Sequence, residues 1–172
     1  HGSFSAQEYI SLNSTGAKAS ASSVWNSLPS STVINMGDNA GVNDDGAMIM
    51  YAFNSVKGFS KFGSYTGNGN ADGTFVYTGF KPAFVIIKPS SYSNSWLILD
   101  NKRNTFNPTN TRLEADGNGA DYSGLDYTDF LSNGFKIRTS NSHPNDSGGT
   151  LIYIAFAESP FTNSSGVPNN AR

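Results

Sequence analysis

Five acidic residues of this chain crowd the loop-rich region 114–129, and Asp100 precedes Lys102 and Arg103, so a pair of carboxylates could carry out chemistry there. Glycoside hydrolysis needs two carboxyl groups flanking the scissile bond, and close carboxylates can also bind calcium. The candidates are Asp100, Glu114, Asp116, Asp121, Asp126 and Asp129. Five of the six are aspartates in turn-like sequence, where the side chain hydrogen-bonds to nearby backbone. We therefore favour a structural role over calcium binding, and calcium binding over catalysis.

A second candidate is the stretch NGNADG at 68–73, which begins like a calcium loop of the EF-hand type. Such a loop needs a bidentate carboxylate at its twelfth position, and that position is Gly79 here. Asn-Gly and Asp-Gly also favour positive φ, and aromatic, β-prone residues flank them. We predict a hairpin turn and no cofactor, with calcium as the less favoured alternative. The turn residues are Asn68, Gly69, Asp72 and Gly73.

Aromatic side chains in loop-like sequence could recognise sugars, because a flat apolar ring stacks on a pyranose while Asn and Asp bind its hydroxyls. The predicted glycan-binding residues are Tyr92, Tyr122, Asp126 and Tyr127. Three of them fall within 116–129, which we predict to be a loop. His143 is the only histidine besides His1, and its turn-like sequence indicates a solvated side chain and not a base.

Composition limits the function classes further. The chain has 172 residues, no cysteine and a net charge of -2, with 14% charged and 13% aromatic residues. Its 11 basic residues are scattered, which argues against a nucleic-acid partner. No apolar run is long enough for membrane insertion. The length suits one domain.

The pattern of short β-prone runs between loops rich in Gly, Asn, Asp and Ser predicts an all-β, antiparallel, sandwich-like domain over 4–161. Only 17–28 could form a short helix. We interpret 1–3 as a possible tag remnant and 162–172 as a C-terminal tail. The predicted strands are 9–13, 32–36, 47–54, 58–65, 74–78, 83–88, 95–100, 112–115, 134–139 and 150–158.

Two regions of the chain resemble each other. NDDGAMIMYAF at 43–53 and NDSGGTLIYIAF at 145–156 both lead from an Asn-Asp turn into an apolar run that ends in Ala-Phe. The offset predicts an internal repeat of about 101–103 residues. Its truncated first copy covers 9–57 and its full second copy covers 79–161, with a connecting hairpin at 58–78. Chance similarity of composition is the alternative.

Three longer blocks resemble a domain found near the C-terminal end of bacteriophage tail-fibre and tail-spike proteins, notably of aquatic phages. The blocks are GFSKFGSYTGNGNADGTFVYTGFKPAFVIIK (58–88), DFLSNGFKIRT (129–139) and GGTLIYIAFAESPF (148–161). In that family a block matching Gly58 and 60–69 recurs, and the domain often follows a laminin-G or concanavalin-like module. The resemblance covers most of the chain from about Tyr9 to Phe161.

The resemblance implies a virion structural protein, namely a tail-fibre or spike module that binds a bacterial surface polysaccharide. It also implies an extracellular location on the virion, contacts with other virion proteins and a homotrimer, since tail fibres usually are trimers. It transfers no catalytic residue, so we expect no enzyme. One alternative is a capsid decoration protein or an extracellular filament subunit. The other is a glycan-cleaving enzyme that uses two of Asp100, Glu114, Asp116 and Asp126.

Overall fold

Antiparallel β-sheet is the main element of the computed structural model, which describes residues 1–167. Residues 168–172, the end of the predicted tail, lie outside the described residues. One four-residue helix, α1 (Ser142–Asn145), lies between the last two strands. The strands are β1 (Glu8–Tyr9), β2 (Ala19–Ser20), β3 (Ser60–Thr66), β4 (Phe75–Tyr77), β5 (Pro82–Pro89), β6 (Leu97–Asp100), β7 (Thr109–Glu114), β8 (Tyr122–Leu131), β9 (Gly134–Ile137) and β10 (Thr150–Ala157).

Eight of the strands form a single sheet in the order β3-β10-β5-β6-β7-β8-β9-β4, and β1 pairs with β2 separately. Every ladder is antiparallel. The predicted all-β, antiparallel class is therefore confirmed. In place of two facing layers, one sheet curls until its far ends approach, and the ring of Tyr65 on β3 lies 6.2 Å from that of Phe135 on β9.

The inner face of the curled sheet forms the core. Alternate residues of each strand point inward, so Val85 and Ile87 of β5 pack with Leu97 and Leu99 of β6. The central strand β10 adds Leu151, Tyr153 and Ala155, all buried. The other buried members are Tyr65, Val76, Phe80, Tyr127, Phe130, Phe135 and Ile137.

The N-terminal segment, here residues 4–16, covers part of the outer face of the sheet. Two buried side chains, Lys88 and Trp96, attach it there by hydrogen bonds. Lys88 is buried on β5, and its Nζ donates to the carbonyl oxygens of Thr15 (3.0 Å), Gly16 (2.8 Å) and Asn94 (2.6 Å). Trp96 Nε1 donates to a further carbonyl of this segment, at 2.9 Å. Burial of an ammonium requires such partners, and here they attach the segment to the sheet.

The predicted hairpin at 58–78 is wrong. β3 pairs with β10 and β4 pairs with β9, so these sequence neighbours lie at opposite ends of the sheet. The turn between them joins the two edges, and Thr74 Oγ1 donates to the carbonyl of Thr66 across the gap at 2.8 Å. The turn residues were compatible with either connection, because a turn does not determine which strands pair.

The internal repeat is not a structural repeat. The first-copy run at 47–53 forms no strand, and its Phe53 is exposed, whereas the corresponding β10 is the strand between β3 and β5. The first-copy strand at 32–36 contributes only an isolated bridge between Met36 and Trp25. The similarity lies in composition and pattern, which do not specify a pairing partner.

Three local predictions also need correction. Most of the predicted loop at 116–129 belongs to β8. The Gly, Ser and Asp residues of β8 are typical of loops, so the sequence did not predict a strand there. Residues 17–28 form no helix, and helix α1 instead occupies a stretch that the sequence assigned to a loop.

Within residues 1–167, no helix has the length and hydrophobicity that a membrane span requires.

Candidate functional site

The 68–73 turn is built by its own amide side chains. Asn68 Oδ1 accepts from the backbone N–H of Asn70 at 3.0 Å, and Asn70 Oδ1 accepts from that of Asp72 at 2.9 Å. Asn68 Nδ2 donates to the carbonyl of Asp72 at 3.0 Å. Gly69 has φ +66°, a conformation that glycine adopts without strain. The two amide oxygens that suggested a calcium loop therefore accept hydrogen bonds inside the turn.

Asp72 and Gly73 complete the turn by contacts with β9. The carboxylate of Asp72 pairs with Lys136, and this hydrogen bond lowers the pKa of Asp72. Gly73 does not need a positive φ, but a Cβ there would lie 2.6 Å from the carbonyl oxygen of Ile137. Among residues 1–167, no cluster of three or more His, Cys, Asp or Glu side chains is arranged to hold a metal ion.

Helix α1 and its buried Asn145 fix the turn in place. Asn145 Nδ2 donates to Asn68 Oδ1 (3.0 Å) and to the carbonyls of Asn70 (2.8 Å) and Thr139 (2.8 Å). Its Oδ1 accepts from the backbone N–H of Asn68 at 2.9 Å. The hydroxyl of Tyr65 reaches the carbonyl of Pro144 at 2.7 Å. One buried amide thus ties the connection between the two sheet edges to α1.

A different cluster forms around Arg112 on β7, and we name it the Arg112 cluster: Arg112, Glu114, Tyr122 and Tyr127. The guanidinium carbon lies 4.6 Å from the ring centroid of Tyr122 and 5.3 Å from that of Tyr127. Arg112 also hydrogen-bonds to the Tyr127 hydroxyl and pairs with Glu114 at 2.8 Å. A guanidinium close to two aromatic rings is held by cation–π attraction as well as by its ion pair.

An irregularity in the β7–β8 ladder makes this cluster possible. Tyr122 and Tyr127 are separated by an odd number of positions, so a regular strand would point them to opposite faces. The register shifts between Thr109 and Thr111, and Gly124 in the opposing strand has φ +128°. Because of this shift both rings reach the same Arg112.

The two tyrosines of the cluster have different roles. Tyr122 remains 53% exposed and pairs across the ladder with Arg112, so its ring is accessible to a ligand. Tyr127 is fully buried in the core, and burial raises its pKa while Arg112 opposes that shift. The prediction that Tyr127 stacks on a sugar is therefore wrong. Asp126, between them, is exposed as predicted for a binding residue.

Most of the candidate catalytic carboxylates already have partners. Glu114 pairs with Arg112, and Asp116 Oδ1 accepts from the backbone N–H of Trp96 at 2.7 Å. Asp100 binds Arg103 at 2.9 Å and also accepts from the backbone of 102 and 103. These contacts are those of structural carboxylates and favour that role over a reacting pair.

Tyr92 contacts helix α1 and not the Arg112 cluster. Its hydroxyl donates to the carbonyls of Ser142 (2.7 Å) and His143 (3.1 Å), and burial raises its pKa to about 12. The neighbouring His143 is buried, contrary to the prediction of a solvated side chain, and its Nε2 lies 2.9 Å from the carbonyl oxygen of Ser95. Desolvation lowers its pKa, and Arg112 acts in the same direction.

Sequence reasoning missed Arg112 as a member of the site. The signal was present, since Arg112 and Glu114 alternate and therefore share a face of a strand. The contact with Tyr122 was not readable, because it depends on the strand pairing and on the shifted register.

The fold and these contacts define an antiparallel β domain with an aromatic–arginine cluster whose Tyr122 ring is exposed. The chain belongs to the DUF7483 family, a domain of unknown function, whose family model matches residues 1–160. The match includes residues 1–3, which the tag interpretation had set aside. Searches of curated proteins and of solved structures found no match.

Proposed function

We propose that this chain is a glycan-binding module of a bacteriophage tail fibre or spike, displayed outside the cell on the virion. The observation that carries the proposal is the exposed Tyr122 ring on the Arg112 guanidinium. The resemblance of 58–88, 129–139 and 148–161 to tail-fibre domains supports the same function. That resemblance is also the source of the expected homotrimer and of the expected contacts with other virion proteins.

The Arg112 cluster and Asp126 together have the composition that a sugar site needs. Tyr122 offers an apolar ring, and exposed Asp126 is a hydroxyl acceptor on the same strand. Arg112 restrains the Tyr122 ring through a contact that is itself anchored by Glu114 and the Tyr127 hydroxyl. A ring restrained before binding loses less entropy when the ligand arrives, which favours affinity.

The experiment is retention of the purified chain on host cells or on isolated surface polysaccharide. Tyr122→Ala should weaken binding by about 1–3 kcal/mol, the range of an interface anchor. Tyr77→Ala is the matched control, because Tyr77 is an exposed tyrosine on another strand, β4. Parent-like binding by Tyr122→Ala would exclude this cluster as the site. Shortening of the polysaccharide would instead identify the glycan-cleaving enzyme.

A capsid decoration protein or an extracellular filament subunit is the second candidate. It is favoured by the exposed apolar run at 47–53, which suits contact with protein more than with sugar. This candidate predicts that the parent chain does not bind polysaccharide, so the same retention assay distinguishes the two functions.

A further inference from the structure

The run AMIMYAF at 47–53, here called the 47–53 segment, exposes a continuous series of large apolar side chains. It contains no charged residue. Within residues 1–167, its backbone makes no hydrogen bond. Unpaired backbone that carries exposed apolar side chains is a template for association with another chain. The exposed fractions are 50% for Met48, 82% for Ile49, 54% for Met50, 78% for Tyr51 and 68% for Phe53.

The exposure alternates along the segment as it does on a strand with one open face. Ile49, Tyr51 and Phe53 are the most exposed members, and residues two apart share a face of an extended chain. Phe53 also reaches the sheet, since its ring lies 6.1 Å from that of Phe62 and 6.4 Å from that of Phe156. The segment therefore adjoins the outer face of β3 and β10.

The sequence of the segment is that of a buried strand. Its pattern matches LIYIAF of β10, which lies between β3 and β5 and has residues 151–153 and 155 buried. Among residues 1–167, the same pattern at 47–53 has no partner strand. A sequence of this type is expected to be covered in the assembled protein.

The exposed apolar area is large enough for a stable interface. Leu28, Val56 and Phe59 are also exposed apolar residues of this N-terminal half. With about 200 Å² for each fully exposed large side chain, these three and the segment expose roughly 1,000 Å², against about 800 Å² per partner in a standard interface. A cleft of about 510 Å³, lined partly by Met50, Tyr51 and Phe53, adds depth to the same surface.

We propose that the 47–53 segment is an interface between copies of this chain, each covering the segment of another. The segment is complementary to itself, because antiparallel pairing about Met50 places Ile49 opposite Tyr51. Aromatic and β-branched side chains are favourable cross-strand neighbours. The same pairing places small Ala47 opposite Phe53, and no like charges meet. Self-complementarity is what a two-fold interface between identical chains requires, so this interface joins two chains. The inference depends neither on glycan binding nor on the homotrimer that the resemblance implies.

The experiment is sedimentation of the full chain over a series of concentrations. The parent should sediment as a dimer, and Ile49→Asp should sediment as a monomer, because a charge at the centre of the interface loses its hydration. Phe106→Asp is the matched control, since Phe106 is 85% exposed and lies outside the segment; it should keep the parent mass.

Folding is checked by far-UV circular dichroism, and Ile49→Asp should keep the parent spectrum because its side chain is exposed in the isolated chain. A parent that remains monomeric at all concentrations would overturn the proposal. So would an Ile49→Asp variant that keeps the parent mass. If Phe106→Asp dissociates as well, the interface lies elsewhere or any added charge suffices, and the proposal fails.

Discussion

Replacement of Asn145 tests whether one buried amide holds the 68–73 turn between the sheet edges. Asn145→Ala removes the three contacts of Nδ2 and the one contact of Oδ1, all between 2.8 and 3.0 Å. Nδ2 has only two hydrogens, so these contacts amount to about three hydrogen bonds. A neutral hydrogen bond contributes a net 0.5–1.5 kcal/mol, so we expect a loss of about 2–4 kcal/mol in the free energy of unfolding. For a domain of this size, that loss lowers Tm by roughly 4–16 °C.

Asn145→Asp separates hydrogen bonding from side-chain volume. Aspartate has nearly the same shape but cannot donate when ionised. Its carboxylate would face the oxygen atoms that now accept from Nδ2, namely Asn68 Oδ1 and the carbonyls of Asn70 and Thr139. Burial of an ionised carboxylate without donors is costly, so this variant should be at least as unstable as Asn145→Ala at neutral pH.

The assay is thermal unfolding followed by circular dichroism, with Asn118→Ala as the control. Asn118 is exposed in the loop before β8, and its replacement should change stability by no more than about 0.5 kcal/mol. If Asn145→Ala has the same Tm as the Asn118→Ala control, the hydrogen-bond argument is refuted. If Asn145→Asp melts with the parent, the donor role assigned to Nδ2 is wrong.

Two further predictions concern the turn and His143. Gly69→Val should lower the free energy of unfolding by about 1–2 kcal/mol, because Gly69 has φ +66°. A chelator should leave Tm of the parent unchanged. A fall in Tm that calcium reverses would contradict the turn interpretation, since a bound ion stabilises by mass action. His143 has a lowered pKa in the folded chain, because burial and, to a smaller extent, Arg112 lower it by more than the hydrogen bond to the Ser95 carbonyl, Glu114 and Asp116 raise it. The unfolded chain therefore binds the proton first, and His143 should reduce stability as the pH falls below about 6.5. On the same acidification, the free energy of unfolding of His143→Gln should fall by less than that of the parent. Urea titrations measure both values, and an equal fall in the two proteins would show that His143 does not contribute.

The strand content was largely predictable from the sequence, whereas strand pairing was not. Runs such as 83–88 and 150–158 are rich in β-branched and aromatic residues, which favour strands, and β5 and β10 form there. The run at 47–54 has the same local character and forms no strand in the isolated chain. Local pattern indicates where a strand is favourable, but a strand persists only when another strand supplies its hydrogen bonds.

The candidate site divides in the same way. Tyr122 and Asp126 were predicted from residue type, since aromatic and acidic side chains are what a sugar site needs; both are exposed, and their glycan binding stays a prediction. The sequence could not separate Tyr122 from Tyr127, because the difference depends on the irregular β7–β8 register. His143 likewise looked like a loop residue, although α1 buries it against the carbonyl of Ser95.

The sequence by itself determined the antiparallel β class, most strand positions and the turn at 68–73, because alternation, β-propensity and glycine placement act over a few neighbouring residues. Only the tertiary structure decided that β3 and β4 are opposite ends of one sheet, and that Asn145 joins the turn to α1. It also brought Arg112 close to the rings of both Tyr122 and Tyr127. Each of these contacts joins elements that are distant in the chain or out of regular register, so its free energy depends on how the whole sheet closes.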